Sequence, residues 1–256
     1  MSSTFITIGP LEIQWYSLLL LIAFTIGFIF VLKSRQKVNL SKNEMIDLIF
    51  YLIVVCIIGA RLYYVLFNLD YYLAYPIDVI KVWEGGLAIH GGIIAGLIYL
   101  LIYCHKKQIC VLKFTDIIVP ALALGQAIGR WGNFFNQEAF GPVTTYGILK
   151  SMHIPTFIID GMNIGGNYYH PTFLYESLWC FIIFIVLITF RKLKKDKIGL
   201  TTSIYLIMYG IERFFIETMR QDSLMILNLK VAQIVSLMMI LAGIIVLIKS
   251  RRFNDK

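Results

Sequence analysis

The chain has 256 residues, 59 % of them apolar, with a mean hydropathy of +0.77 and a formal net charge of +8. So apolar a composition excludes an ordinary soluble domain, because only a protein solvated largely by lipid carries it without aggregating. The basic residues sit in short clusters between apolar runs, which argues against nucleic-acid binding and fits loops facing anionic headgroups. Four cysteines, Cys56, Cys104, Cys110 and Cys180, form no CxxC pair, so neither a disulfide framework nor a zinc site is expected.

Met1 to Gln14 holds no Lys or Arg, so the apolar run Trp15–Leu32 is expected to be a retained first span rather than a cleaved signal. Further spans are expected at Met45–Phe67, Gly86–Cys104, Phe114–Ile128, Thr172–Phe190, Gly199–Glu217 and Val231–Ile248, each near the ~20 residues a bilayer requires. The fourth is short and contains Asp116, Pro120 and Gln126, which suits a re-entrant or broken helix as well as a span. The fold class is therefore an all-α polytopic membrane protein with about seven transmembrane helices.

Alternate loops differ sharply in charge. One set holds Lys33, Arg35, Lys37 and Lys42, then Lys106, Lys107 and Lys113, then Arg191, Lys192, Lys194, Lys195 and Lys197, and finally Lys249, Arg251, Arg252 and Lys256. The other holds little beyond Lys81, Arg130, Lys150, Arg220 and Lys230. The positive-inside rule makes the first set cytoplasmic, with the N-terminus outside and the C-terminus inside. Connections are short except 129–171, which is rich in Gly, Asn, Tyr and Pro and is expected to form a small outward cap. Val143–Leu149 and Thr156–Asp160 read as short strands and Gly165-Gly166-Asn167 as a turn.

The chemistry concentrates in Gly129-Arg130-Trp131-Gly132-Asn133-Phe134-Phe135-Asn136-Gln137-Glu138-Ala139-Phe140-Gly141. A cation, two Asn amides and a carboxylate in a turn-rich, glycine-punctuated segment are expensive at a bilayer boundary unless they face protein, water or substrate. An arginine that merely snorkels to headgroups needs no such company. Arg130 is better suited to bidentate contact with a phosphate. A second cluster lies in the sixth span, where Tyr209, Arg213 and Glu217 recur at i, i+4 and i+8 on one helix face, with Arg220 and Asp222 beyond. An Arg213–Glu217 ion pair at helix spacing is one reading. A second guanidinium for a phosphodiester whose leaving group gains charge is the other.

Of three other polar groups, two carry two readings each. His90 lies in an apolar run beside Gly91 and Gly92, either hydrogen-bonding across helices or acting as a general base. Tyr16 belongs either to an interfacial aromatic belt with Trp15 or near a substrate. Glu176, in the first turns of the fifth span, suits a helix N-terminus on capping grounds alone. Gly92 and Gly96 form a GxxxG pair that fits tight helix packing.

These residues resemble the bacterial phosphatidylglycerol–prolipoprotein diacylglyceryl transferases. That family's signature, G-R-x-G-N-F-x-N-x-E-x-x-G, is met at every fixed position from Gly129 to Gly141, and the resemblance extends to His-Gly-Gly at 90–92, His-Pro-x-x-Leu-Tyr-Glu at 170–176 and Tyr-Gly-x-x-Arg-Phe-x-x-Glu at 209–217. One departure is Gln221-Asp222, where some members have Pro before the acid, so no role is carried to Asp222. The resemblance implies transfer of a diacylglyceryl group from phosphatidylglycerol to the lipobox cysteine of a prolipoprotein signal peptide, forming a thioether and releasing glycerol phosphate. It implies a bacterial cytoplasmic-membrane enzyme with membrane lipids and the precursor as partners, and no cofactor, metal or nucleic acid. Catalytic roles are then expected of Arg130, Arg213, His90, Tyr16 and Tyr209, with the tyrosines as lesser alternatives to His90 for the thiol proton. Substrate contacts are expected of Arg130, Asn133, Asn136, Glu138, Gly141 and Glu217. A secondary transporter or channel is the competing class, against which stand the absence of an internal repeat and a polar cluster near one surface.

Overall fold

The computed structural model describes residues 3–9, 11–193, 197–220, 225–226 and 229–254, without the side chains of 8, 11, 226 and 251–254. Lys194, Lys195, Gln221, Asp222 and Lys256, with the side chains of Arg251 and Arg252, thus lie outside the described residues.

An antiparallel hairpin, β1 (Thr4–Ile8) and β2 (Leu11–Gln14), runs directly into α1 (Trp15–Ser34). A 3-10 turn leads to α2 (Lys42–Leu66), whose start is a capping box: Ser41 Oγ accepts the Glu44 N–H at 3.2 Å and the Glu44 carboxylate accepts the Ser41 N–H at 3.0 Å. Then come α3 (Leu69–Ala74), two 3-10 turns at Pro76–Ile80 and Val82–Glu84, α4 (Ile89–Lys106) and α5 (Val111–Asn136). Next are β3 (Val143–Thr144), α6 (Tyr146–Ser151), α7 (Thr156–Gly161), β4 (Asn163–Ile164) and β5 (Asn167–Tyr169), the strands forming an antiparallel sheet in the order β3-β5-β4. α8 (Thr172–Leu193), α9 (Leu200–Met219), the small hairpin β6 (Met225–Ile226) and β7 (Leu229–Lys230), and α10 (Val231–Asn254) complete the chain.

The expected all-α polytopic class is what the chain adopts. Among the described residues six helical segments are long and apolar enough to cross a bilayer, those of α1, α2, α4, α5, α8 and α10. A 20-residue helix, α9, stands at the sixth expected position, but Glu212, Arg213 and Glu217 make it too polar to qualify on composition.

One open choice is resolved in favour of a span, and three local expectations are corrected. The fourth span is neither broken nor re-entrant, since α5 is one continuous 26-residue helix that takes Pro120 inside it. It also runs on through Gly129–Asn136, so the first half of the signature is helix, not turn. Low intrinsic propensity is overridden there by packing, because the helix meets α1 at Gly132, where a Cβ would strike the Tyr16 ring. In the cap, the expected strand Val143–Leu149 survives only as Val143–Thr144 before α6, capped by Thr145 Oγ1 accepting the Ile148 N–H at 3.3 Å. The expected strand Thr156–Asp160 is α7, because it starts after Pro155 and turns Ile158 and Ile159 together into a core. Gly165-Gly166 do make the turn between β4 and β5, with φ of 59° and 86°.

By its contacts the chain divides into two compact units, one made of 1–31 and 115–256, the other of 32–114. In the smaller unit α2 and α4 pack through glycines. A Cβ at Gly96 would lie 2.7 Å from Cys56 Sγ and one at Gly92 3.1 Å from Cys56 O, while Gly59 and Gly91 meet backbone to backbone. The GxxxG reading therefore holds. In the larger unit α9 is held at both ends. Asp116 of α5 accepts the Gly199 N–H at 2.6 Å, the Thr202 N–H at 2.7 Å and the Thr202 hydroxyl at 2.6 Å, satisfying the first turn of α9. Lys230 Nζ donates to the carbonyls of Glu217 and Arg220 at the other end. The cap residues have a core of their own, in which Leu149, Ile154, Ile158, Ile159 and Met162 close over Phe134 of α5 and Phe173 of α8.

Candidate functional site

Three helices of the larger unit, α5, α8 and α9, bring four charged side chains into one chain of ion pairs. Arg130 Nη2 lies 2.6 Å from Glu176 Oε2, and Arg213 Nη1 lies 3.3 Å from the same oxygen. Arg213 Nη2 continues to Glu217 Oε2 at 2.9 Å, the helix-spaced pair anticipated from sequence, although Glu217 Oε2 makes no aligned hydrogen bond among the described residues. The carboxylates are sunk, with side-chain exposures of 1 % for Glu176 and 3 % for Glu217, whereas Arg130 and Arg213 keep 19 % and 18 %. The guanidiniums thus reach an accessible face while the acids hold them from behind.

Arg130 is also tied to its own segment. Its Nη1 donates to Asn133 Oδ1 at 3.4 Å, Asn133 Nδ2 donates to Glu138 Oε1 at 2.8 Å, and Asn136 Nδ2 reaches the same oxygen at 3.4 Å. Glu138 can reach back because the chain reverses sharply after α5. The Glu138 N–H bonds to Asn133 O at 3.0 Å and the Gln137 N–H to Phe134 O at 3.2 Å, a Schellman-type helix end. Gln137 and Ala139 sit in the left-handed region, with φ of 52° and 55°, where glycine is usual. Non-glycine residues held in that conformation are strain retained by surrounding contacts, here Gln137 Nε2 to Gly161 O at 3.1 Å and Thr172 Oγ1 to Ala139 O at 2.5 Å. Gly141 packs against the entry to α8: its N–H bonds to His170 O at 2.9 Å, and a Cβ there would be 2.9 Å from His170 Cβ.

Tyr16 of α1 lies against the signature helix at Gly132, and Trp15 stacks on Phe135 with ring centroids 4.6 Å apart. Trp15 is therefore a packing partner of the signature as well as an aromatic near the helix end. Tyr209 stacks on Tyr205 at 5.5 Å, and the Tyr205 hydroxyl donates to Gln126 Oε1 at 3.1 Å. His170 Nδ1 is 3.1 Å from the Tyr175 hydroxyl. In the smaller unit His90 stands at the second position of α4, exposed, its ring tilted against Tyr63 at 6.2 Å between centroids. The inter-helix hydrogen bond offered as one reading of His90 is absent among the described residues.

Sequence reasoning missed three groups. Glu176 was given to helix capping, yet it is the shared partner of both arginines; only a contact between helices distant in sequence reveals this. Glu212 is 5 % exposed beside Arg213, and neither carboxylate oxygen has a hydrogen-bond partner among the described residues. Arg61, buried in the smaller unit, donates to the carbonyls of Val79, Gly85, Gly86, Asp78 and Lys81 and lies 5.2 Å over the Tyr72 ring. With its donors spent on backbone, Arg61 pins the segment 78–86 and leaves little for a ligand. No group of three or more His, Cys, Asp or Glu is placed to hold a metal ion among the described residues.

A protein-family model described as prolipoprotein diacylglyceryl transferase matches residues 3–249. The chain is 45 % identical over 249 residues to a phosphatidylglycerol–prolipoprotein diacylglyceryl transferase of Staphylococcus haemolyticus, covering 97 % of this chain and 88 % of that one. It is 43 % identical over 255 residues to a protein of the same name from Staphylococcus xylosus, covering 97 % and 91 %. A Staphylococcus aureus protein of that name, from strain MSSA476, is 43 % identical over 245 residues, covering 95 % and 87 %. The chain belongs to the prolipoprotein diacylglyceryl transferase family.

Proposed function

We propose that this family member transfers the diacylglyceryl group of phosphatidylglycerol to the lipobox cysteine thiol of a prolipoprotein, the first step of lipoprotein maturation. The thiolate sulfur bonds to the glyceryl carbon, the carbon–oxygen bond to phosphate breaks, and its electron pair leaves with glycerol phosphate. The observation that carries this reading is the pair of guanidiniums, Arg130 and Arg213, fixed on one carboxylate and still partly accessible. Each guanidinium retains N–H donors beyond those given to Glu176, Asn133 and Glu217, and two forks side by side suit the oxygens of a phosphodiester. They also stabilise the charge that builds on the phosphate as the bond breaks.

Glu176 sets the orientation of both arginines, and Glu217 holds Arg213 from the far side. Asn133 and Glu138, with Asn136, hold Arg130 and offer hydrogen bonds to the glycerol headgroup. Gly141 serves by close approach, keeping the reversal after α5 against α8. The thiol must lose its proton, since thiolate is the nucleophile. His90 is the proposed acceptor on the chemistry of imidazole, with Tyr16 and Tyr209 as lesser alternatives. The charge of the loops supports a chain with its N-terminus outside and the 129–171 segment as an outward cap, on the side where secreted precursors emerge.

The test uses purified protein, phosphatidylglycerol labelled in its diacylglyceryl part, and a lipobox peptide with or without its cysteine. Label is expected on the cysteine peptide alone, with glycerol phosphate released in equal amount. Label on neither peptide, or on both, overturns the reading.

A further inference from the structure

A carboxylate buried without a hydrogen bond is unstable as an ion, and Glu212 is in that position inside a cluster that must accept an anion. The groups that face it are known from each packed helix. α5 supplies Arg130 and α8 supplies Glu176 and Cys180, while α9 itself adds Tyr205, Tyr209 and Arg213. α10, packed along α9, offers the uncharged Gln233, which donates to Phe214 O at 3.5 Å. With Glu176, Glu217 and Glu212 all ionised, the two arginines are outnumbered and the cluster carries one excess negative charge before any phosphate arrives. A phosphodiester would double that excess in a low-dielectric site. With Glu212 neutral, the two arginines and their two paired acids balance, and among these sunken groups the lipid brings the only net charge; Glu138, linked to Arg130 through Asn133, is exposed and screened by solvent.

We infer that Glu212 is a proton-linked positioning residue for the phospholipid: it is neutral in the lipid-bound state, so at a pH where the free protein has lost that proton it takes one up as the anionic headgroup docks on Arg130 and Arg213. The inference rests on the phosphate-binding reading above and adds to it a coupling between lipid affinity and pH. Linkage sets the sign. A group that must be protonated for binding leaves affinity intact at low pH and weakens it as pH rises past the point where the free protein loses that proton. The phosphodiester remains a monoanion throughout the neutral range, so it contributes no slope.

The experiment is calorimetric titration of purified protein, in zwitterionic detergent, with short-chain phosphatidylglycerol between mildly acid and mildly alkaline pH. Two buffers of different ionisation enthalpy count the protons taken up. Wild-type affinity is expected to fall with pH at a slope approaching about tenfold per unit, the limit for one linked proton, with about one proton absorbed per lipid on that limb. Glu212→Gln, which mimics the neutral acid, is expected to bind at wild-type low-pH affinity and to lose the slope, and Glu212→Asp to keep it. Equal slopes in wild type and Glu212→Gln, a flat wild-type profile, or no proton uptake each overturn the inference. The proton count needs no variant, so misfolding of Glu212→Gln cannot hide the answer. Transfer to the cysteine peptide, assayed on the same wild-type preparation, judges the transferase reading separately from the binding slope.

Discussion

Replacing Glu176 by Gln removes the charge shared by both arginines while preserving side-chain volume. At an effective dielectric of 20, contacts of 2.6 and 3.3 Å correspond to gross attractions of roughly 6 and 5 kcal/mol, most of which desolvation cancels. The net effect is better gauged from breaking a buried pair, about 3–5 kcal/mol. Gln retains a carbonyl acceptor, and the arginines are nearly one-fifth exposed, so the lower end applies, about 3 kcal/mol. Unbridged, the two guanidiniums repel and lose their alignment, while the site as a whole becomes more positive. Lipid binding should therefore hold or tighten as turnover falls. The expected result is a kcat lower by about 100-fold, equal to about 2.7 kcal/mol, with KM for phosphatidylglycerol unchanged or reduced. The assay is labelled transfer to the lipobox peptide over a range of lipid concentration, with thermal unfolding as a fold control. A variant that turns over within about threefold of the parent would refute the idea that Glu176 orients the pair.

Other parts of the structure make their own predictions. Asp116→Ala removes three hydrogen bonds from the first turn of α9 and should lower stability by about 2 kcal/mol, seen as a drop in the unfolding temperature in detergent. Gly132→Ala drives a methyl into the Tyr16 ring and should cost about 1–3 kcal/mol, whereas Gly147→Ala in α6, with nothing within 4 Å, should be neutral or stabilising by up to about 1 kcal/mol. If both unfold alike, the close α1–α5 approach is wrong. Ala139→Gly relieves a left-handed residue and should raise stability by about 1 kcal/mol, and a loss would argue that φ there is not positive.

Much of this molecule was legible in its sequence because lipid imposes simple rules. Apolar runs of the right length placed helices at all seven expected positions, and Gly92 and Gly96 announced a tight helix contact, whose partner the structure shows to be α2. The signature told where the polar groups are but not their backbone. Gly129, Gly132 and two asparagines look like a turn by propensity, yet α5 continues through them because Gly132 must pass the Tyr16 ring. Thr156–Asp160 looks like a strand from its β-branched residues, and Pro155 with the shared burial of Ile158 and Ile159 makes it helix instead. The i, i+4, i+8 spacing exposed Tyr209, Arg213 and Glu217 as one face. It could not expose Glu176, whose partners lie 46 residues before it and 37 after it in the chain. Nor could it expose Glu212, which sits one residue from Arg213, off the face that the spacing defines. Local periodicity finds what one helix presents, and the site is made where three helices meet.

The central claim is that Arg130 and Arg213 act together on the lipid phosphate. The most direct measurement is transfer by Arg130→Gln protein, purified and verified as folded, with the same labelled lipid and cysteine peptide. The account predicts a loss of at least about 100-fold in kcat/KM, the scale of removing one charged stabiliser of the departing phosphate. Turnover near that of the parent would contradict it.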